Sequence, residues 1–131
     1  ILDALVRFKK SKRMGYPSNL NSVGWKENPT DDEENLLVKE WESILDKMIW
    51  SFRFFTKDCH TDESEILMHK IFSGHKIEFE PIEGDSEYSR MVKPKYNEDE
   101  LKTYYELQKK EYIIYEEGML LFAKYFGALW D

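Results

Sequence analysis

The sequence predicts a mainly α-helical fold, a small bundle around a long C-terminal helix, with a short β-hairpin in the middle segment. Three observations carry this reading. First, Leu101, Tyr105, Gln108, Tyr112, Tyr115, Met119, Phe122, Phe126 and Leu129 follow one another at alternating steps of four and three, and only Gln108 is polar. That spacing keeps one stripe on one face of a helix. Second, a capping signal at Thr30 opens a stretch with helical apolar periodicity. Third, apolar and polar residues nearly alternate from Lys76 to Ile82, ahead of the turn-prone run Glu83, Gly84, Asp85 and Ser86.

Residues 1–14 read as the end of a helix, with Ile1, Leu5 and Phe8 on one face and Leu2 and Val6 beside it. Arg7, Lys9, Lys10, Lys12 and Arg13 crowd its last turns, and Gly15 followed by Pro17 is a stop signal. Cations at a helix C-terminus account for the basic cluster. A phosphate-binding patch is the competing reading, disfavoured by the acidic balance of the rest of the chain. Residues 15–29 have loop composition.

Thr30 is a good N-cap, Glu33 completes a capping box, and Asp31 and Asp32 sit where the helix dipole favours acids. The second helix is expected over Asp31 to Phe55. Leu37, Trp41, Ile44, Leu45, Met48, Phe52 and Phe55 share an arc at 100° per residue, which makes a core stripe. Leu36 and Phe54 form a smaller apolar pair to one side. Trp50 falls on the opposite face, among Lys39, Asp46 and Arg53.

The segment 56–95 offers the fewest apolar contacts and is expected to be less ordered. Glu65 to Phe72 has the pattern of a short helix, and Tyr88 to Lys93 is placed to pair with Lys76 to Ile82. Asn97 or Glu98 opens the last helix, which ends near Trp130. A second stripe of that helix, Tyr104, Leu107, Glu111, Ile114, Gly118, Leu121, Tyr125 and Ala128, lies about 100° from the first. A helix apolar on two adjoining faces is expected to be contacted from two sides. It would then be the central element of one domain spanning residues 1–131.

Composition narrows the function classes. Aromatic residues make up 15% of the chain, enough for a few helices to supply a core without metal or disulfide. The formal charge of −7 opposes a general affinity for nucleic acid, which depends on neutralising phosphates. Cys59 is the only cysteine, so no intrachain disulfide forms. No stretch has the uncharged apolar length of a transmembrane helix. A chain opening on Ile1 rather than Met points to a preceding N-terminal piece.

No nucleophile motif, phosphate-binding loop or metalloprotease motif is present. Cys59, His60, Asp62, Glu63, His69 and His75 are the available metal ligands, but their spacing fits no zinc pattern. No metal and no cofactor is therefore expected. Glu111 is the one carboxylate within the second stripe. It reads either as a solvent-reaching or salt-bridged residue or as an acid–base group in a pocket between helices. Gly118 and Gly127 interrupt a helix at a cost of about 1 kcal/mol each relative to Ala, which points to close approach of another helix or chain. The Tyr104, Tyr105, Tyr112 and Tyr115 stripe reads as core rather than as a base-stacking platform, since glutamates surround it. Trp50, flanked by Asp46, Arg53 and Lys39, has the character of a protein-binding anchor. The alternative is that another segment of the chain covers it.

Three segments together carry a resemblance. Gly15-Tyr16-Pro17-Ser18, the run from Trp41 through Ile44, Leu45 and Met48 to Trp50 and Phe52, and Glu117 through Phe122 and Phe126 to Leu129-Trp130-Asp131 resemble a family of small uncharacterised proteins of tailed bacteriophages. The resemblance implies a viral source, the cytoplasm of an infected bacterium and a further N-terminal stretch. It supplies no activity and no catalytic residues. A compact helical body, acidic charge, an outward Trp50 and the lack of a chemical motif make the expected function that of a non-catalytic phage accessory protein. It would bind another protein, whether a host, defence-system or phage factor, and neither nucleic acid nor membrane. A small enzyme or ligand-binding bundle with a pocket near Glu111 is one alternative, and a structural component of the virion is another.

Overall fold

Thr30 starts the longest internal helix by the device its sequence announces. In the computed structural model, its Oγ1 accepts a hydrogen bond from the Glu33 amide at 3.3 Å, and Glu33 Oε2 accepts one from the Thr30 amide at 3.2 Å. The structure describes residues 1–11, 15–20, 26–74, 77–85 and 87–130, the side chain of Trp130 excepted. It is mainly α-helical, with a helix α1 at Leu2–Lys10, α2 at Asp31–Thr56, α3 at Asp62–Phe72 and a long α4 at Glu98–Trp130. Two three-residue strands, β1 at Phe79–Pro81 and β2 at Ser89–Met91, make an antiparallel hairpin. Two compact units result: Ile1–His60 with Lys110–Asp131, and Thr61–Lys109.

In the first unit α2 is flanked on two sides. Phe8 of α1 meets Trp41 edge-on at 6.4 Å, and Lys9 pairs with Asp46. On the other side Trp41 meets Tyr125 at 5.5 Å, Lys47 reaches Glu117 at 2.6 Å and Phe54 meets Tyr112 at 5.6 Å. Residue numbers fall along α4 as they rise along α2, so the two helices run antiparallel. They press together at Gly118, where an added Cβ would collide with Ser51 Oγ and the Lys47 carbonyl oxygen and stand 2.7 Å from Ser51 Cβ. Ser51 is fully buried there and donates to the Tyr115 carbonyl at 3.0 Å.

The mainly α fold with its long C-terminal helix and small hairpin is as expected, and the core of this unit gathers along α2, with Tyr125 and Leu129 supplied by α4. Leu37, Trp41, Ile44, Leu45, Met48 and Ile49 are buried, joined by Leu5, Leu20, Tyr125 and Leu129. The physical reason is that α2 is packed from two sides, by Phe8 of α1 and by Tyr125 of α4, both against Trp41. The main heptad of α4 is only partly covered, with Tyr112 and Phe126 exposed and Tyr115, Met119 and Phe122 half-buried. The second stripe is the inner one, since Glu111, Gly118 and Tyr125 are buried. Two α2 assignments also change. Phe55 is 58% exposed on the last turn of α2, whereas Phe54 is buried between α2 and the tyrosines of α4.

Helix α1 ends at Lys10, earlier than Gly15 and Pro17 suggest, with the Ser11 amide donating to the Phe8 carbonyl at 3.0 Å. Arg7, Lys9 and Lys10 occupy its last turn as expected, while residues 12–14 of the basic cluster lie outside the described residues.

The second unit begins with a capping box that the sequence reading passed over, between Thr61 and Ser64, and α3 accordingly starts three residues before Glu65. Its last turn brings Phe72 edge-on to Tyr96 at 4.9 Å and Tyr104 at 5.9 Å, and Lys70 to Glu100 at 2.9 Å. The hairpin pairs Phe79 with Met91, Glu80 with Arg90 and Pro81 with Ser89. Gly84, at φ +83°, takes the left-handed turn conformation that glycine adopts without penalty. Asn97 opens α4, its Oδ1 accepting from the Asp99 and Glu100 amides at 3.0 and 3.1 Å. No helix among the described residues is long and apolar enough to cross a membrane.

Candidate functional site

The four-residue spacing of Trp50 and Phe54 puts both rings on one side of α2, one turn apart. They stack at 5.2 Å with planes 13° apart. Phe54 then meets Tyr112 edge-on at 5.6 Å and Tyr115 at a tilt, 5.4 Å away. Tyr112 and Tyr115 lie three residues apart on α4 and touch edge to face at 6.1 Å. Stacked and edge-to-face arrangements both suit the ring quadrupole, and each adds to the area the rings bury. Phe54 is the buried hub, Trp50 and Tyr115 are half-buried, and Tyr112 is 42% exposed. Antiparallel packing of α2 on α4 thus assembles a continuous aromatic surface from two helices.

Beyond Tyr115 the surface opens into a hollow of about 330 Å³ lined by Tyr115, Glu116, Met119 and Leu120. Half-buried aromatics beside an apolar hollow form a surface able to take a large apolar side chain from a partner.

The sequence placed Lys39, Asp46 and Arg53 around Trp50, and the structure distributes them differently. Asp46 pairs with Lys9 of α1, so it belongs to the α1–α2 contact. Lys39 and Arg53 are exposed on α2. Trp50 itself is half-buried on Phe54 rather than projecting freely. The residues that sequence reasoning missed are Phe54, Tyr112 and Tyr115 as neighbours of Trp50. The four-residue step to Phe54 was visible, but the meeting with α4 requires knowing which face of α4 turns to α2.

Glu111 is buried at 4% exposure on the inner stripe of α4. Its Oε2 has no hydrogen bond, although the residue is engaged by other interactions. Glu111 does not line the hollow beside Tyr115. Nor does it line a second hollow of about 430 Å³, which follows Leu101, Lys102 and Tyr105 in the other unit. Of the titratable groups near the first-unit helices, Glu33 is held below its ordinary value. The causes are the hydrogen bond from Lys26, at 2.6 Å, and then the one from the Thr30 amide.

At the end of α2, His60 Nδ1 lies 2.9 Å from the Asp58 carbonyl, and Cys59 takes a left-handed backbone at φ 60°. Among the described residues no three His, Cys, Asp or Glu side chains gather within reach of one ion. His75 lies outside the described residues.

No protein-family model matches the chain, and neither a curated protein nor a solved structure matches it significantly.

Proposed function

We propose that this protein is a non-catalytic accessory protein of a tailed bacteriophage that binds another protein through the Trp50 face. The observation that carries the reading is the continuous aromatic surface of Trp50, Phe54, Tyr112 and Tyr115. Tryptophan and tyrosine set in a packed, partly desolvated surface are the residue types that concentrate binding energy at protein interfaces. The fixed stacking on Phe54 lowers the ordering cost of engaging Trp50. The phage setting and the bacterial cytoplasm rest on the resemblance of the Gly15–Ser18, Trp41–Phe52 and Glu117–Asp131 segments.

Affinity capture from infected cells tests this reading. The wild-type chain is expected to retain a stoichiometric partner, and Trp50→Ala to weaken it about thirtyfold, the effect of losing an anchor worth about 2 kcal/mol. A partner held equally by both chains would refute the assignment. The burial of Glu111 favours a second reading, a ligand-binding bundle. Native mass spectrometry showing a bound small molecule released by Glu111→Gln, with no protein partner, would establish that reading instead.

A further inference from the structure

Two helical glycines of α4 stand in opposite situations. Gly118 is explained inside the chain, because Ser51 and the Lys47 carbonyl occupy the space of its missing side chain. Gly127 is exposed, and an added Cβ would meet nothing within 4 Å. A glycine within a helix costs about 1 kcal/mol relative to Ala, and nothing in the monomer repays that at Gly127. The residue also falls on a stripe. Ile113, Leu120 and Gly127 follow at steps of seven, so they share one face within a few tens of degrees. Ile113 and Leu120 are the most exposed large apolar residues of α4, at 60% and 71%.

The stripe is self-complementary when reversed about its centre. Turning a second α4 antiparallel with Leu120 on the two-fold axis brings residues whose numbers sum to 240 level with each other. Leu120 then meets its own copy, and each Ile113 faces the partner's Gly127, large against absent. Glu116, four residues before Leu120, comes level with the partner's Lys124, four residues after it. Both are exposed and of opposite sign. The parallel arrangement would instead set Glu116 against Glu116 and Lys124 against Lys124. Isologous dimers require this kind of reciprocal match.

We infer that the outer face of α4, centred on Leu120 and bounded by Ile113 and Gly127, is a homodimer interface. A second copy of this chain packs there antiparallel. In the single chain, Lys124 Nζ lies 5.0 Å from the Tyr125 ring centroid, and it exchanges that contact for Glu116 of the partner when the dimer forms. The interface is two heptads long, so association is expected to be concentration-dependent rather than permanent.

Sedimentation equilibrium of the full chain tests the inference, with circular dichroism to verify that each variant folds. The wild type is expected to show a monomer–dimer equilibrium, and Leu120→Asp to remain monomeric. Glu116→Lys is expected to weaken the dimer about tenfold, because two symmetric attractions become repulsions. Glu116→Lys combined with Lys124→Glu is expected to restore it. Gly127→Leu is expected to block the approach of Ile113 and give a monomer. A wild type that stays monomeric up to about millimolar concentration would overturn the proposal and assign the stripe to a different partner. A double charge swap no tighter than the single one would overturn the antiparallel pairing on which it rests.

Discussion

Replacing Gly118 by Ala examines the contact that sets the distance between α2 and α4. Helix propensity alone favours the change by about 1 kcal/mol. Packing opposes it. The new methyl would collide with Ser51 Oγ and with the Lys47 carbonyl oxygen, and would sit 2.7 Å from Ser51 Cβ. The Ser51 hydroxyl has rotamers to retreat to, but the Lys47 carbonyl belongs to the backbone of α2 and moves only with the helix. Overpacking of this kind costs about 1–3 kcal/mol, toward the upper end where backbone must shift. Displacing Ser51 also weakens its 3.0 Å hydrogen bond to the Tyr115 carbonyl, a further ~1 kcal/mol. The balance is a net destabilisation of about 2–3 kcal/mol, or roughly a 10 °C fall in melting temperature for a chain of this size. Urea unfolding followed by tryptophan fluorescence measures it. The companion Gly127→Ala, studied at low protein concentration, should instead gain up to about 1 kcal/mol, since its Cβ meets nothing. A Gly118→Ala chain as stable as wild type would refute the argument, because it would mean that α4 does not press on α2 at this point.

The remaining predictions concern the core, the cap and the hairpin. Trp41, 1% exposed and touching both Phe8 and Tyr125, should cost about 3–5 kcal/mol on truncation to Ala, measured by thermal unfolding. Thr30→Ala should lose about 1 kcal/mol through the N-cap, read from the urea midpoint. Because Glu33 is held below its ordinary value of 4.5, its contribution is present above that pH and is withdrawn as the pH falls through the lower folded value. An acid titration of stability should therefore be less steep in this range for Glu33→Gln than for wild type. Amides of β1 and β2, whose residues are almost all exposed, should exchange fast while those of α2 exchange slowly. Equal protection would contradict the account of where the apolar contacts lie.

Much of the fold was legible in the chain because local signals and packing agree. The capping box at Thr30 marked the start of α2, Asn97 or Glu98 the start of α4, and the alternation on either side of Gly84 the two arms of the hairpin, though not their register. Which of the two apolar stripes of α4 lies deeper was not legible, for a specific reason. Both adjoining stripes of α4 have heptad spacing and both touch α2, the larger side chains through Phe52 and Phe54, while Gly118 and Tyr125 of the other stripe lie deepest. Tight helix contact selects small residues, so Gly118 and Ala128 mark the deeper stripe, while Tyr112 and Phe126 stand at the margin of the contact and stay exposed. The Trp50 site was half legible. Its ring was singled out by periodicity and the structure stacks it on Phe54, while Asp46, read as its neighbour, pairs with Lys9.

The same asymmetry explains why this chain carries candidate binding surfaces at all. Within its unit α2 has neighbours on two sides and buries a wide arc, extending to Ile49 and Phe54 outside the stripe that periodicity alone assigns to it. Helix α4 has one such neighbour there, yet it carries apolar residues over more than one face. A solvated helix in a monomer would be stable with polar residues at Ile113, Leu120 and Phe126, and with Ala at Gly127. Exposed Leu or Ile taken singly is ordinary on a protein surface. Here the exposed residues are ordered: Ile113, Leu120 and Gly127 repeat at the heptad, and Tyr112 and Tyr115 close on Phe54 and Trp50. The repeat of Ile113, Leu120 and Gly127 is not required by the packing of α4 on α2, which Gly118, Tyr125 and the tyrosines at Phe54 already satisfy. It is what contact with further protein surface requires, and the two faces separate into an aromatic one suited to a different protein and a self-complementary one suited to a second copy.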